Sequence, residues 1–307
     1  MTTALLYAAT VLVWGTTWLA IKFQLGAVAP EVSVFYRFII GGLAVLIWAW
    51  LRGESLRFSR RDHLFLALMG GTLFSFNFVV FYYATEGLTT GLVAVLMSTA
   101  VVWNVFNARI FLRRALEPIV LLGAVFGITG IAVVFWPAVA NLHLGDTTLR
   151  SLGLGLLGAL LFSLGSIISQ RNQARRLPLI ASTAVAMGYG ILLLLLWILV
   201  QGLPFVFDMA APYVLSLLHL ALFGTVVGFA CYLVLVGRLG AARASYATVL
   251  FPVVALGLST LFEDYRWSLS ALVGVALVLC GNAIVLGAPH LRRRFLAAAA
   301  KAEGSPS

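Results

Sequence analysis

Ten apolar segments, each about long enough to cross a lipid bilayer, dominate this 307-residue sequence. A membrane-spanning helix needs about 20 mostly apolar residues to cross a hydrocarbon layer about 30 Å thick. Frequent glycines and the lack of strict polar and apolar alternation favour helices over a transmembrane barrel. The sequence therefore predicts an all-α integral membrane protein with ten transmembrane helices. We place the predicted spans at residues 4–24, 32–51, 64–84, 89–112, 118–136, 152–171, 180–200, 212–236, 243–262 and 268–287.

The composition excludes a water-soluble domain, because 62% of the residues are hydrophobic and only 10% are charged. The two cysteines, Cys231 and Cys280, fall inside predicted spans 8 and 10. We interpret them as small packing residues and not as a disulfide.

Positive charge is concentrated on alternate loops. Of the 20 Lys and Arg residues, all but Lys22, Arg37, Arg150 and Arg266 follow an even-numbered span. Short loops rich in arginine stay in the cytoplasm, so we expect a multi-pass protein of the cell inner membrane with both termini in the cytoplasm. The net charge of +10 is then mainly a topology signal, and no basic surface for nucleic acid is expected.

The second half of the chain repeats the first. An offset of 148 places Trp14 over Phe162, and an offset of 150 places Tyr82 over Tyr232. Because each half contains five spans, an odd number, the second copy must enter the membrane upside down, which is a transporter architecture. The predicted units are residues 1–144 for the first repeat with spans 1–5, 145–290 for the second repeat with spans 6–10, and 291–307 for a cytoplasmic basic tail.

Several short motifs occur in order along the chain: Trp14-Gly15-Thr16-Thr17-Trp18, Tyr82-Tyr83-Ala84-x-x-Gly87, and the glycine pairs Gly123 with Gly130 and Gly274 with Gly281. They resemble the EamA family of the drug/metabolite transporter superfamily. Within that family the chain is similar to YddG-type exporters of aromatic amino acids. The resemblance implies export of small organic metabolites, with amino acids and above all aromatic ones as substrates, by alternating access.

Two departures from the family pattern separate the halves. The proline of the second half, Pro252, has no counterpart in the first, and Glu263 is matched there by Arg113 and Arg114. We therefore do not expect a symmetric site.

Candidate substrate-binding residues are polar or aromatic and lie near the middle of predicted spans. Trp14, Thr17, Trp18 and Ile21 share one face of span 1 by helical spacing. Such a stripe lines a pathway or packs against a neighbouring helix, and both roles stay open. The full predicted set is Trp14, Thr17, Trp18, Asn77, Phe78, Tyr82, Ser98, Trp103, Phe162, Ser163, Phe229 and Tyr246.

Charged residues at depth are scarce. No Asp or Glu lies near the middle of a span, and Lys22 and Arg37 are expected to extend to the outer interface. His219 is the one titratable group near neutral pH inside a span. A relay of embedded carboxylates is therefore not expected.

The sequence carries no nucleotide-binding loop and no metal-ligand motif. We therefore predict a non-enzymatic carrier without cofactor or metal, whose partners are a small-molecule substrate and the lipid bilayer. The oligomeric state is left open, and a monomer is sufficient for this architecture. The alternative is an integral membrane enzyme acting on lipid or isoprenoid substrates, which needs clustered acids or histidines at a membrane face.

Overall fold

The apolar segments form helices. The computed structural model describes residues 1–113, 118–140, 147–281 and 283–284, and these contain no β-strand, which confirms the all-α prediction for that part of the chain. The helices are α1 (Thr3–Lys22), α2 (Pro30–Leu51), α3 (Arg60–Leu73), α4 (Phe76–Gly87), α5 (Thr90–Ser98), α6 (Ala100–Leu112), α7 (Pro118–Ala140), α8 (Thr147–Ala174), α9 (Leu179–Gln201), α10 (Ala211–Leu218), a π-helical segment (His219–Val227), α11 (Gly228–Leu239), α12 (Ala241–Ala244), α13 (Tyr246–Phe262) and α14 (Leu269–Gly281).

The helices that correspond to the predicted spans differ in length. Within the described residues, seven helical stretches are long and apolar enough to cross a membrane, and three further apolar helices are shorter. The seven are Thr3–Lys22, Pro30–Leu51, Arg60–Gly87, Thr90–Leu112, Thr147–Ala174, Leu179–Val200 and Ala211–Leu239; the shorter three are Leu122–Val134, Leu250–Phe262 and Leu269–Gly281.

Three of the long stretches are interrupted. The α3/α4 break lies at Ser75, whose hydroxyl donates to the Gly71 carbonyl at 2.9 Å. The α5/α6 break lies at Thr99, whose hydroxyl donates to the Leu96 carbonyl at 2.7 Å. In the third stretch, the π-helical segment separates α10 from α11. Short hydroxyl side chains compete with the backbone for carbonyl oxygens, which loosens a helix locally. Helix breaks and π-helical turns are frequent at functional sites.

The major helix contacts join the two parts of the chain. α4 packs against α8, α2 against α9, and α1 against α13. Close approach depends on small residues: a methyl group at Gly70 in α3 would lie 2.3 Å from the Ala186 carbonyl oxygen of α9. The interface between residues 1–113 and 147–281 therefore forms the centre of the molecule.

α7 and α14 pack against each other at glycines. A methyl group at Gly130 would lie 2.6 Å from the Gly274 carbonyl oxygen, and one at Gly281 would lie 2.5 Å from the Gly123 carbonyl oxygen. The same four glycines carried part of the family resemblance in the sequence. Their lack of a side chain lets the two backbones approach closely. No described residue of α7 or α14 is among the lining residues of the central cavity described next.

Candidate substrate cavity

A narrow cavity lies between the two parts of the chain, about half-way along the helices. Its volume in this conformation is about 30 Å³, room for about two water molecules. Pockets that hold small organic ligands measure about 300–1,000 Å³, so the cavity is too narrow for such a ligand in this conformation. The lining residues are Trp14, Thr17, Trp18 and Ile21 of α1, Arg37 of α2, Asn77, Phe78 and Phe81 of α4, Met97 of α5, Phe162 of α8, Phe229 of α11 and Phe251 of α13.

The walls of the cavity are mainly aromatic. Trp18 stacks on Phe251 with ring centroids 5.8 Å apart and meets the edge of Phe81 at 5.2 Å. Trp14 meets Phe229 edge-on at 5.1 Å. Such pairs add about 0.5–1.5 kcal/mol each beyond the burial of their area. The rings come from both parts of the chain, so a movement of one part against the other would change the width of the cavity.

Trp14 is anchored in the interrupted helix opposite it. Its indole N–H donates to the Gly224 carbonyl at 3.0 Å, inside the π-helical segment. A methyl group at Gly228 would lie only 2.2 Å from the indole nitrogen. The glycine therefore provides the space for the ring, and the carbonyl satisfies its only hydrogen-bond donor.

Arg37 corrects a sequence prediction. It does not extend to the outer interface: only 2% of its surface is exposed, and it lines the cavity. Its Nε donates to the Thr225 hydroxyl at 3.0 Å, and its guanidinium lies 4.3 Å from the Phe78 ring centroid. The rotation of α2 about its axis directs the side chain toward α4 and the π-helical segment instead of along the helix toward the surface.

Asn77 is the other polar residue of the cavity with unused hydrogen-bonding capacity. It is fully buried, and neither its amide nitrogen nor its amide oxygen has a hydrogen-bond partner among the described residues. Thr17 differs, because its hydroxyl donates to the Trp14 carbonyl at 2.9 Å within its own helix. A ligand would therefore find free hydrogen-bonding atoms on Asn77 in particular.

Of the twelve sequence-predicted site residues, eleven have side chains in the described part of the structure; seven of these line the cavity and four do not. The seven are Trp14, Thr17, Trp18, Asn77, Phe78, Phe162 and Phe229. Of the others, Tyr82 is fully buried and close enough to the Arg37 guanidinium to interact electrostatically, without hydrogen-bond geometry. Ser98 donates to the Val95 carbonyl of its own helix at 2.7 Å.

Three predicted residues remain, and two of them are placed away from the cavity. Trp103 is only partly buried and packs at the edge of the core, whereas the sequence placed it inside. Ser163 belongs to a separate hydrogen-bonded cluster. Tyr246 begins α13, and its side chain lies outside the described part of the structure.

Sequence reasoning missed five lining residues as site residues: Ile21, Arg37, Phe81, Met97 and Phe251. Helical spacing had placed Ile21 on the face of Thr17 and Trp18, although Ile21 was left out of the predicted set. The same spacing could have found Phe81, which lies one turn after Asn77. Arg37 also carried a signal, since an ionisable residue inside a predicted span is a functional candidate by default.

At one end of the bundle lies a group of polar residues that we call the Glu263 cluster, which consists of Lys22, Thr90, Ser259 and Glu263. The Glu263 carboxylate accepts from the Thr90 N–H at 3.0 Å, from the Thr90 hydroxyl at 2.7 Å and from the Ser259 hydroxyl. Its second oxygen lies 3.5 Å from the Lys22 ammonium. The cluster ties the C-terminal ends of α1 and α13 to the N-terminus of α5.

Another polar group, the Asn104 cluster, lies nearer the opposite end of these helices and consists of Asn104, Asn107, Ser163 and Ser245. The Asn104 amide donates to the Ser245 hydroxyl and accepts from the Ser163 hydroxyl at 2.9 Å. Asn107 donates to Ser163 at 2.8 Å. These bonds connect α6, α8 and the start of α13.

A second, larger cavity of about 490 Å³ lies between α2, α9 and α11. Arg52, Glu54 and Arg238 lie among its lining residues, and its inner wall includes Thr225 and Phe229. Phe229 lines both cavities, and Thr225 accepts the hydrogen bond from Arg37. The two cavities are thus separated by the side chains that also shape the central one.

Comparison with known proteins identifies the family of this chain. The model of the EamA-like transporter family matches residues 1–136 and again residues 149–287. The chain belongs to the EamA-like transporter family. It is 27% identical over 286 residues to the uncharacterized transporter YvbV of Bacillus subtilis, covering 92% of this chain and 91% of that one. It is 25% identical over 253 residues to the uncharacterized inner membrane transporter YedA of Escherichia coli, covering 81% and 79% of the two chains.

A solved crystal structure of a protein superimposes on this EamA-family chain with a TM-score of 0.67. It covers 95% of this chain and 98% of its own, at 20% sequence identity, so the likeness establishes the fold alone. The family and its relatives identify the protein as a multi-pass membrane transporter and not an enzyme. The alternative of a membrane enzyme for lipid or isoprenoid substrates is therefore rejected.

Proposed function

We propose that this transporter exports small organic metabolites across the cell inner membrane by alternating access, with aromatic amino acids as the foremost candidates. The observation that carries the proposal is the aromatic cavity between the two family-matched segments. Flat rings of a substrate would stack there on Trp14, Trp18 and Phe251. No acidic side chain is among its lining residues.

The proposed architecture is a pair of inverted five-helix repeats, residues 1–144 and 145–290, with both termini in the cytoplasm. The double match to the family model and the dominance of contacts between the two parts support it. The proposed cytoplasmic tail, 291–307, lies outside the described residues.

The two polar clusters are the proposed gates. In the predicted topology the Glu263 cluster faces the outside and the Asn104 cluster lies toward the cytoplasm. The larger cavity, with Arg52 and Arg238 near its rim, would be the cytoplasmic approach to the closed site. Alternating access then requires that the two gates open one at a time.

Flux into proteoliposomes tests the proposal. The assay uses a panel of radiolabelled amino acids, and the variants Trp18→Ala and Trp103→Ala form a matched pair. Trp18 lines the cavity and Trp103 does not, although the sequence placed both in the site. Loss of one stacking partner in a closed site costs about 1–3 kcal/mol, which is about 5- to 150-fold in affinity.

We expect weaker transport of phenylalanine and tryptophan in Trp18→Ala only. Equal transport kinetics in both variants and the wild type would show that the aromatic cavity is not part of the transport pathway. Direction is measured separately in intact cells, where an exporter lowers the accumulation of radiolabelled phenylalanine relative to cells that carry Trp18→Ala.

A further inference from the structure

Arg37 is a buried cation that forms no ion pair with an acidic residue in the described part of the chain. The ion pairs formed by the described residues join Lys22 to Glu263, Arg52 to Glu54, and Arg171 and Arg175 to Asp62. None of them includes Arg37, which is 2% exposed. Burying an unpaired charge costs several kcal/mol after relaxation. An anion that entered the cavity would remove this cost.

The contacts of the guanidinium leave part of it free. Nε is used by the Thr225 hydroxyl, and the face of the group lies over the Phe78 ring at 4.3 Å. Nη1 is buried and has no hydrogen-bond partner. An aromatic face and a neutral hydroxyl orient a guanidinium but do not neutralise it, so its capacity to bind an anion is preserved.

Asn77 supplies a second unused group in the same cavity. Its amide nitrogen is a free donor and its amide oxygen a free acceptor, both buried. Two unpaired polar side chains in a single cavity are costly unless a ligand satisfies them. Around them the lining is aromatic or aliphatic, except for Thr17, whose hydroxyl is bonded to its own helix.

We infer that the cavity selects small organic carboxylates with a flat apolar body, the carboxylate being bound by Arg37 and Asn77. A carboxylate offers two oxygens, one for a guanidinium nitrogen and one for the amide N–H of Asn77. Its apolar body then lies against the rings of Trp14, Trp18 and Phe251. The inference rests on the proposed function for the location of the site, and it specifies the chemical group that the site recognises.

The test compares four probes that share a phenyl ring: L-phenylalanine, 3-phenylpropionate, 2-phenylethylamine and 2-phenylethanol. Binding to the purified full-length protein is measured by thermal stabilisation and by competition. For the wild type we expect 3-phenylpropionate to bind about 10- to 100-fold more tightly than the amine or the alcohol, as a charge-assisted contact at a buried cation implies. Arg37→Gln should remove this preference and change the affinity for 2-phenylethanol by less than about threefold.

Arg171→Gln is the matched control. In the wild type the Arg171 guanidinium also lies over an aromatic ring, 3.5 Å from the Phe65 centroid, but it forms an ion pair with Asp62. This variant should lower thermal stability and leave the carboxylate preference intact. Arg37→Gln should not lower the stability of the ligand-free protein as much, because it removes an unpaired charge.

Asn77→Asp keeps the test decisive if Arg37→Gln does not fold. An aspartate of the same size places a negative charge in the cavity and satisfies Arg37 internally. We expect it to abolish 3-phenylpropionate binding and to raise the affinity for 2-phenylethylamine. Unchanged carboxylate binding in this variant would contradict the inference.

Two further results would overturn the inference. One is a wild type that binds the amine as well as the carboxylate or binds none of the four probes. The other is an Arg37→Gln variant that loses affinity for all probes equally, since Arg37 would then only shape the cavity. Failure of the proposed function has a different signature: 3-phenylpropionate still binds through Arg37, but no amino acid is transported.

Discussion

If the Glu263 cluster acts as the proposed outer gate, removing the Glu263 carboxylate should open that end of the bundle. The side chain is 5% exposed and accepts from the N–H of Thr90, in the first turn of α5, where no intrahelical acceptor exists. In Glu263→Ala the hydroxyls of Thr90 and Ser259, 3.2 Å apart, can bond each other. The Thr90 N–H then lacks its charged acceptor.

The expected loss follows from these contacts. A hydrogen bond to a charged group contributes about 1.5–3 kcal/mol, which corresponds to about 10- to 150-fold more of the open state. The ion pair with Lys22 adds little, because that side chain is 45% exposed. Lys22→Gln should therefore have an effect of less than about 1 kcal/mol. Glu263→Gln keeps an oxygen acceptor and should lie between the two.

Labelling of a single cysteine measures the open population. The labelled cysteine is introduced as Thr17→Cys, because Thr17 lines the cavity. The two native free cysteines, Cys231 and Cys280, are first replaced by Ala so that they do not react. A membrane-impermeant thiol reagent is added to intact cells and, separately, to inside-out vesicles. We expect faster labelling in Glu263→Ala from outside only. An unchanged rate in both preparations would refute the closing role of the cluster, and acceleration only in the vesicles would reverse the proposed topology.

Three further predictions concern packing, topology and coupling. Gly228→Ala should lower the melting temperature, because its methyl group would lie 2.2 Å from the indole nitrogen of Trp14, whereas Gly257→Ala, where no atom lies within 4 Å, should be neutral or slightly stabilising; thermal unfolding in detergent compares the two. A reporter active only in the cytoplasm should work at the C-terminus, and one active only in the periplasm should work when inserted between α7 and α8; silence of either in an inserted protein would contradict the predicted topology. Flux should follow the substrate gradient with little dependence on pH, because no carboxylate lines the cavity and His219 contacts the Thr16 hydroxyl at 3.1 Å without lining it. Proton-driven accumulation that persists in His219→Gln would mean that a coupling residue lies elsewhere.

Part of the candidate site was predictable because helical geometry alone places residues on a face. Trp14, Thr17 and Trp18 are three and four positions apart, so any helix brings them to one side. That side meets the cavity in the structure. The fates of Ser98 and Trp103 were not predictable in this way. A serine hydroxyl chooses between its own helix and a neighbour, and the burial of a tryptophan depends on which helix packs beside it.

The helix interruptions could not be predicted from the sequence either. The segments that contain Ser75 and Thr99 have the apolar length of single spans, and hydropathy does not report which hydroxyl will take a carbonyl from the backbone. Their consequence is functional, because Asn77 and Met97 lie within two residues of a break and line the cavity.

The sequence by itself determined the helical class, the family and the expected topology, because the bilayer requires about 20 apolar residues per span and loop arginines set orientation whatever the neighbouring helices do. Only the tertiary structure decided the place of Arg37. The same side chain could reach the interface or point inward, and the choice depends on the rotation of α2 against α4 and the π-helical segment. Side-chain composition determines that a segment spans the membrane, whereas packing between helices determines what each residue faces.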